Sequence, residues 1–340
     1  MPVLSGVAGN ALASLAAIDY WISVLNSDVA ASSRTGFKTS KITFGGGATR
    51  NDKPYANGAL GIQYAEQALS VGSTNIDFSQ GQVVASTEFT HNAINGSQNA
   101  FYVLVDKITK DPAAGATDGA ADTVNQARYF LSRDGEFHRD KDGYLVNANG
   151  LFVMGFRNNG GVFNERAIRI QPTDPTPEIT MSKIIDSHNL KANAGVGVAD
   201  VNAGQYSYAH AFVNDLQALK YSKYGSTILE TQNSVYTGPF TTAVATNPAG
   251  TAFATGSGVF LHQASTGVTH AAFAGPPAIP AGTDPNSGNV RVNGSSLEAS
   301  NVQLPSTIVE LSLAQKIYSA LTKVIQVDQQ KLDGVLNLIR

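Results

Sequence analysis

The sequence predicts a multi-domain protein of the α plus all-β class. Two terminal helices pair as an α-helical, coiled-coil-like stalk, and the middle forms a β-rich domain with long loops. Three observations predict this. Apolar residues recur in a heptad rhythm at both ends of the 340-residue chain. The middle is punctuated by Asp-Gly and Asn-Gly pairs between short apolar or aromatic runs. The chain is 42% hydrophobic, enough for a sizeable core.

At the N-terminus Leu4, Ala8, Ala11, Leu15, Ile18, Ile22, Leu25 and Val29 fall at alternating spacings of four and three. No Pro interrupts the run after Pro2, and a helix of about 26 residues would be roughly 39 Å long. At the C-terminus Leu304, Ile308, Leu311, Tyr318, Ile325, Leu332, Leu336 and Ile339 lie on one heptad lattice. A second lattice carries Ile317, Leu321, Val324, Val335 and Leu338. Two adjacent lattices predict one wide apolar face that touches more than one neighbour. A helical hairpin buried in an ordinary globular core would show the same periodicity. The position of the helices at opposite ends of the chain favours a stalk, with everything between as one excursion from it.

The resulting organisation is residues 1–34 with 301–340 as a discontinuous helical stalk and 35–76 as a linker or long loop. Residues 77–160 with 203–300 form the β-rich domain, and 161–202 form a small inserted β subdomain or a loop. In the β-rich part, Asp134-Gly135, Asp142-Gly143 and Asn149-Gly150 separate short runs and predict successive hairpin turns, hence a meander or Greek key. Residues 237–294, rich in Ala, Gly, Thr and Pro, read as long loops with short strands such as 259–262.

The charge balance excludes several function classes. Only 14% of residues are charged, against roughly 25% in ordinary soluble proteins. The 23 basic and 26 acidic residues give a net charge of -3. That removes the electrostatic case for nucleic acid or an anionic membrane as the main partner. The absence of cysteine excludes disulfides, thiolate metal sites and a cysteine nucleophile. No stretch reaches the about 20 apolar residues of a membrane-spanning helix. The mildly apolar run 11–18 has no preceding Lys or Arg, so the sequence predicts a protein that stays inside or leaves without signal cleavage.

Nothing in the sequence supplies the machinery of an enzyme. The six histidines form no i,i+4 pair. The segment His138 to Gly143 lacks the third acid and the distant Glu of a calcium loop and predicts a hairpin turn. Gly45-Gly46-Gly47 is not followed by Lys-Ser or Lys-Thr, and no G-x-S-x-G occurs. The reading is therefore no catalytic residues, no metal and no cofactor.

The ordered motifs are more informative. Thr35, Gly36, Phe37 and Lys38 follow the N-terminal heptads directly. Asp77, Phe78 and Gly81 belong to a DFSQG segment. Arg133, Gly135, Phe137, Asp142 and Gly143 punctuate RYFLSRDGEFHRDKDGYLVNANGLFVMG. Leu297, Glu298, Ser300, Asn301 and Val302 stand in LEASNVQL, ahead of the AQKIY helix. In this order the motifs resemble the flagellar axial family of rod and hook subunits, and most closely the hook subunit. Residues 89–94 (FTHNAI) depart from the acidic, apolar run that the family has there.

The resemblance implies a structural subunit that polymerises with itself into a hollow helical extracellular tube, exported without a cleaved signal. It would transmit torque or form a surface appendage beside other axial, junction and cap proteins and an export chaperone. The helices would carry assembly through Leu4, Leu15, Ile18, Ile22, Leu25, Val29, Ile308, Leu311, Tyr318, Leu321, Ile325, Leu332 and Leu336. A distal rod-type subunit and a stalked β-domain adhesin are the alternative readings.

Overall fold

The computed structural model describes residues 6–47, 50–52, 62–64, 68–96, 98, 100–108, 129–159, 162–170, 206–213, 216, 219–231, 268–272 and 291–338. The chain divides into two units. Unit 1 comprises Met1–Ser32, Thr39–Asp77 and Val302–Arg340, and unit 2 comprises Ser33–Lys38 and Phe78–Asn301. The chain therefore passes between them four times.

Unit 1 is built on two helices. Helix α1 spans Gly6–Ala31, an Ala-rich stretch whose strong helix formers outweigh Gly6 and Gly9. Helix α2 spans Leu304–Leu338, 35 residues or about 52 Å. Pro305 sits in its first turn, where no backbone N–H is needed. The Gln303 carbonyl accepts from the Thr307 N–H and hydroxyl, both at 3.0 Å. The helices pack together through Ile18, Leu25 and Ala314, with Ile22, Leu311, Ile317, Tyr318 and Leu321 partly buried around them.

The stretch read as a linker carries strands. Strand β1 (Ser40–Gly47) pairs antiparallel with β4 (Ala68–Ile76), from Ser40 opposite Ile76 to Gly47 opposite Ala68, with a bulge at Thr43/Phe44. Between them β2 (Arg50–Asp52) pairs with β3 (Ile62–Tyr64). A second heptad line on α1 seats this ribbon. Ser14 Oγ accepts from the Leu69 N–H at 2.9 Å. Trp21 stands edge-on to Phe44, with ring centroids 5.4 Å apart. Asp28 accepts from the Thr39 hydroxyl at 2.6 Å and from the Ser40 N–H at 3.3 Å.

Unit 2 is antiparallel β. Its strands are β5 (Val83–Ala85), β6 (Asn92–Asn95), β7 (Ala100–Val105), β8 (Tyr129–Ser132), β9 (His138–Arg139), β10 (Leu145–Val146) and β11 (Phe152–Asn159). They continue as β12 (Val162–Ala167), β13 (Tyr206–Val213), β14 (Leu219–Ser222), β15 (Gly225–Thr231), β16 (Val268–Ala272), β17 (Arg291–Gly294) and β18 (Ser296–Glu298). The main sheet runs β14-β15-β8-β7-β13-β11-β10-β9, with β12 on β11 and β16 on β13. Strand β7 is buried along its whole length, which is why it reads as a continuous apolar run without alternation. Tyr102 and Leu104 from it join Phe130, Phe137, Leu145, Val153, Ile168, Ile170 and Ile228 in the core.

Two of the three expected turns form as hairpins. Asp140 Oδ1 accepts from the N–H groups of Asp142 (2.9 Å) and Tyr144 (2.7 Å), closing the turn that carries Gly143 at φ 88°. Asn147 Oδ1 does the same for Asn149 (3.0 Å) and Leu151 (2.9 Å), with Gly150 at φ 74°. The segment from His138 to Gly143 is thus a side-chain-stapled turn. Asp134-Gly135 is different. Strand β8 pairs with β7 and β15 and not with β9, and Gly135 is not left-handed. Its carbonyl accepts from the Asn92 N–H at 3.1 Å, so the pair serves a close backbone approach and turns no hairpin.

Of the expected inserted region, 162–167 belong to the main sheet as β12. Residues 171–205 lie outside the described residues. Within 237–294 the described parts are β16 and β17, and the strand expected at 259–262 lies outside them.

Candidate functional site

The most constructed cluster in unit 2 is an ion triad. Glu298, on β18, is fully buried. Its Oε1 accepts from Lys38 Nζ at 2.6 Å and from the Gly81 N–H at 2.9 Å. Its Oε2 accepts from Arg133 Nε at 2.8 Å. Side-chain exposure is 3% for Lys38 and 1% for Arg133. Arg133 also donates to the carbonyls of Ala100 (2.7 Å) and Ile94 (3.2 Å), and Lys38 to that of Ser79 (2.8 Å). Burial alone pushes the Glu298 pKa up. The charges of Arg133 and Lys38, with their hydrogen bonds, outweigh it and hold the carboxyl below the ordinary glutamate range.

The sequence places this triad through four separate motifs. Gly36 sits at φ 67°, and a Cβ there would meet the backbone of Arg133 and Asp134. Its N–H donates to the Glu298 carbonyl at 2.7 Å. Phe37 is buried and stacks on Tyr221 at 6.4 Å, and the Tyr221 hydroxyl donates to the Lys38 carbonyl at 2.8 Å. The Thr35 hydroxyl donates to Asp134 Oδ1 at 2.7 Å. Burial raises the Asp134 pKa against the lowering pull of that bond. A Cβ on Gly81 would meet the Ala299 carbonyl, so only glycine fits. Asn301 Nδ2 donates to the carbonyl and hydroxyl oxygens of Ser79, both at 3.1 Å, and its N–H to the Phe37 carbonyl at 3.3 Å.

Lys38, Phe78 and Asn301 are the unit 2 residues at three of the four crossings. Lys38, Ser79, Glu298 and Asn301 therefore tie together three segments that leave unit 2. The arrangement suits the carriage of tension. A pull on any of the three is resisted by buried, charge-assisted bonds as well as by its own backbone.

The remaining motif residues lie apart from the triad. Phe78 is edge-on to Phe101 at 5.7 Å, and Phe137 to Tyr102 at 5.1 Å. Gly135 approaches Asn92, while Asp142 and Gly143 form their own turn. Leu297 pairs with Val84 on β5, and Ser300 is half-buried. Asp77 and Val302 belong to unit 1, where Asp77 pairs with Lys41 at 2.6 Å. Ser79, Tyr221 and Asp28 were not singled out from the sequence, and Asp134 was read there only as half of a hairpin turn. Ser79 stands inside DFSQG, and Asp28 shares a heptad line with Ser14 and Trp21, so both carried a signal.

The second candidate surface is α2 in unit 1. Among the expected assembly residues, Ile18 and Leu25 are buried within the chain, and Leu15, Ile22, Val29, Leu311, Tyr318, Leu321 and Ile325 are half-buried. Ile308, Leu332 and Leu336 are exposed. Leu4 lies outside the described residues. Most of the large apolar side chains exposed among the described residues are on this helix. Val309, Leu313, Val324, Val327, Val335 and Leu338 recur at whole-turn spacings along an exposed flank that adjoins the seam of Thr307, Ala314 and Leu321, about a quarter-turn round the helix. The apolar side of α2 thus has a seam that meets α1 and an adjoining flank that is exposed. Among the described residues no helix is long and apolar enough to cross a membrane.

No protein-family profile matches the chain. It is similar to the flagellar hook protein FlgE of Helicobacter pylori strain 26695, at 28% identity over 197 residues. Its similarity to FlgE of H. pylori strain J99 is 27% over 197 residues. Each match covers 55% of this chain and 25% of the hook protein, so the chain spans about a quarter of the length of the curated relatives it matches.

Proposed function

We propose that this chain is the structural subunit of a hook-like appendage, polymerising with copies of itself into a hollow helical tube outside the cell. The observation that carries the proposal is the exposed apolar flank of α2. A side chain of this kind gains about 1.5–3 kcal/mol when fully buried, and a row of six left in water is a strong drive toward association. A second copy suits the face because Lys331 is the charged residue of α2 that falls within its arc, and Glu310, Lys316 and Asp328 at its borders are of mixed sign, which gives a partner of one charge little to recognise. The likeness to hook proteins supports the same occupant. In the tube the terminal helices line the wall in coiled-coil-like pairs, and unit 2 carries load through the Glu298 triad, which fits the transmission of torque. Export without a cleaved signal, and cap, junction and chaperone partners, belong to the same reading. The role is mechanical and not catalytic.

Negative-stain electron microscopy of purified protein tests it. Tubes with a central channel are expected from the wild type, and none from Val327→Asp, which alters the exposed flank and not the seam. Tubes from Val327→Asp, or none from the wild type at any concentration, would sink the proposal. A curved tube marks a hook-type subunit and a straight one a rod-type subunit.

A further inference from the structure

The triad brings together residues that lie far apart along the chain. Lys38 and Glu298 are 260 residues apart, and Arg133 and Glu298 are 165 apart. By contrast β7 pairs with β8 over short separations, Val105 opposite Tyr129. Around Glu298 the last segment of unit 2 is bonded throughout to earlier ones. Strand β17 pairs with β6, and β18 with β5. The Ser86 N–H donates to the Ser295 carbonyl at 2.7 Å, and the Ala299 N–H to the Gln82 carbonyl at 2.8 Å. Gly36 and Gly81 both donate their amides to Glu298 itself.

We propose that Glu298 is a key that licenses the closure of unit 2: the segments 33–38, 78–95 and 291–301 lock together in one late step that waits for its carboxylate. Two buried cations set the order. The positions of Lys38 and Arg133 are nearly inaccessible to water in the folded chain, and a cation is not carried into such a place ahead of its counter-charge. Strands β7 and β8 need no such partner and close over a short loop. In a chain made or moved from its first residue onward, Lys38 and Arg133 stay hydrated until residue 298 follows. The three tied crossings then stay loose until the segment that carries Glu298 is available. This holds whether or not the protein polymerises.

Pulse-labelling hydrogen exchange during refolding of the full chain tests the order. The amides of Gly36, Gly81, Ala299 and Asn301 are expected to gain protection together, after those of 102–104 and 130–131. In Glu298→Gln that late step slows by about tenfold or more while protection of β7 and β8 is unchanged. Replacing all three charges (Lys38→Met, Arg133→Met, Glu298→Leu) restores closure to at least the wild-type rate. The proposal is overturned if Gly36 and Gly81 are protected as early as β7 and β8. It is also overturned if Glu298→Gln shifts the late step by less than about twofold. Loss of β7–β8 protection in Glu298→Gln, or a triple variant no faster than that single one, overturns it equally.

Discussion

Glu298 shows how one side chain can set a unit's stability and its response to acid. Removing its charge leaves Lys38 and Arg133 buried without the carboxylate they share, which costs about 3–5 kcal/mol. Urea unfolding of Glu298→Gln, followed by a probe in unit 2, should show a loss of that size. The pH dependence has a definite sign. The folded carboxyl titrates below its unfolded value of about 4.3, so its stabilisation is complete above that pH. It is lost as pH falls through the folded pKa, and the variant should lack that loss. Asp134 works the other way, because burial raises its pKa. Its contribution is present below its unfolded pKa and is lost as pH rises through the folded one. Asp134→Asn keeps the oxygen that accepts from Thr35 and Glu136, so it should leave unit 2 at least as stable at neutral pH and remove that part of the slope. Denaturant titrations across pH read both effects.

Among the elements, the two faces of α2 separate folding from association. Ala314 is fully buried against α1, so Ala314→Leu should overpack the seam and cost unit 1 about 1–3 kcal/mol in thermal or urea unfolding. Val309→Asp, on the exposed flank, should leave unit 1's stability unchanged within about 0.5 kcal/mol. Residues that look equivalent by heptad spacing thus play unlike parts, and this marks where the sequence stops being legible. Periodicity shows which positions are apolar, and Gly6–Ala31 could be read from it. It does not say which face meets the same chain, because that depends on where α1 lies along α2. The β1–β4 ribbon was hidden for a related reason. Its strands are rich in Gly, Ser and Thr, their apolar residues are few, and the features that seat them are on α1, at Ser14, Trp21 and Asp28. The turns at Gly143 and Gly150 were legible because local side-chain bonds alone define them. Asp134-Gly135 uses the same two letters for a contact with Asn92, far off along the chain. The triad was legible only as separate motifs, since nothing local pairs residue 38 with residue 298.

For the molecule as a whole, self-association should depend on concentration and on the exposed apolar flank of α2. Sedimentation of wild type over rising concentration is expected to show growth into large species, and Val309→Asp to remain monomeric at every concentration tested. Hydrophobic association of this kind should weaken on cooling, so wild-type polymers are expected to shrink at low temperature. The fourfold passage of the chain between units 1 and 2 has a further consequence, for survival after damage. Most two-unit proteins hang on a single covalent thread, and one protease cut there frees the halves. Here a cut anywhere between β1 and β4 falls inside a unit 1 segment and leaves all four passages whole. The first fragment would still be held through α1 against α2, β1 against β4, and Lys38 against Glu298. A nicked molecule should therefore travel as one particle in native buffer and part into two pieces only in denaturant. A subunit joined in this way can be broken once and still remain in place.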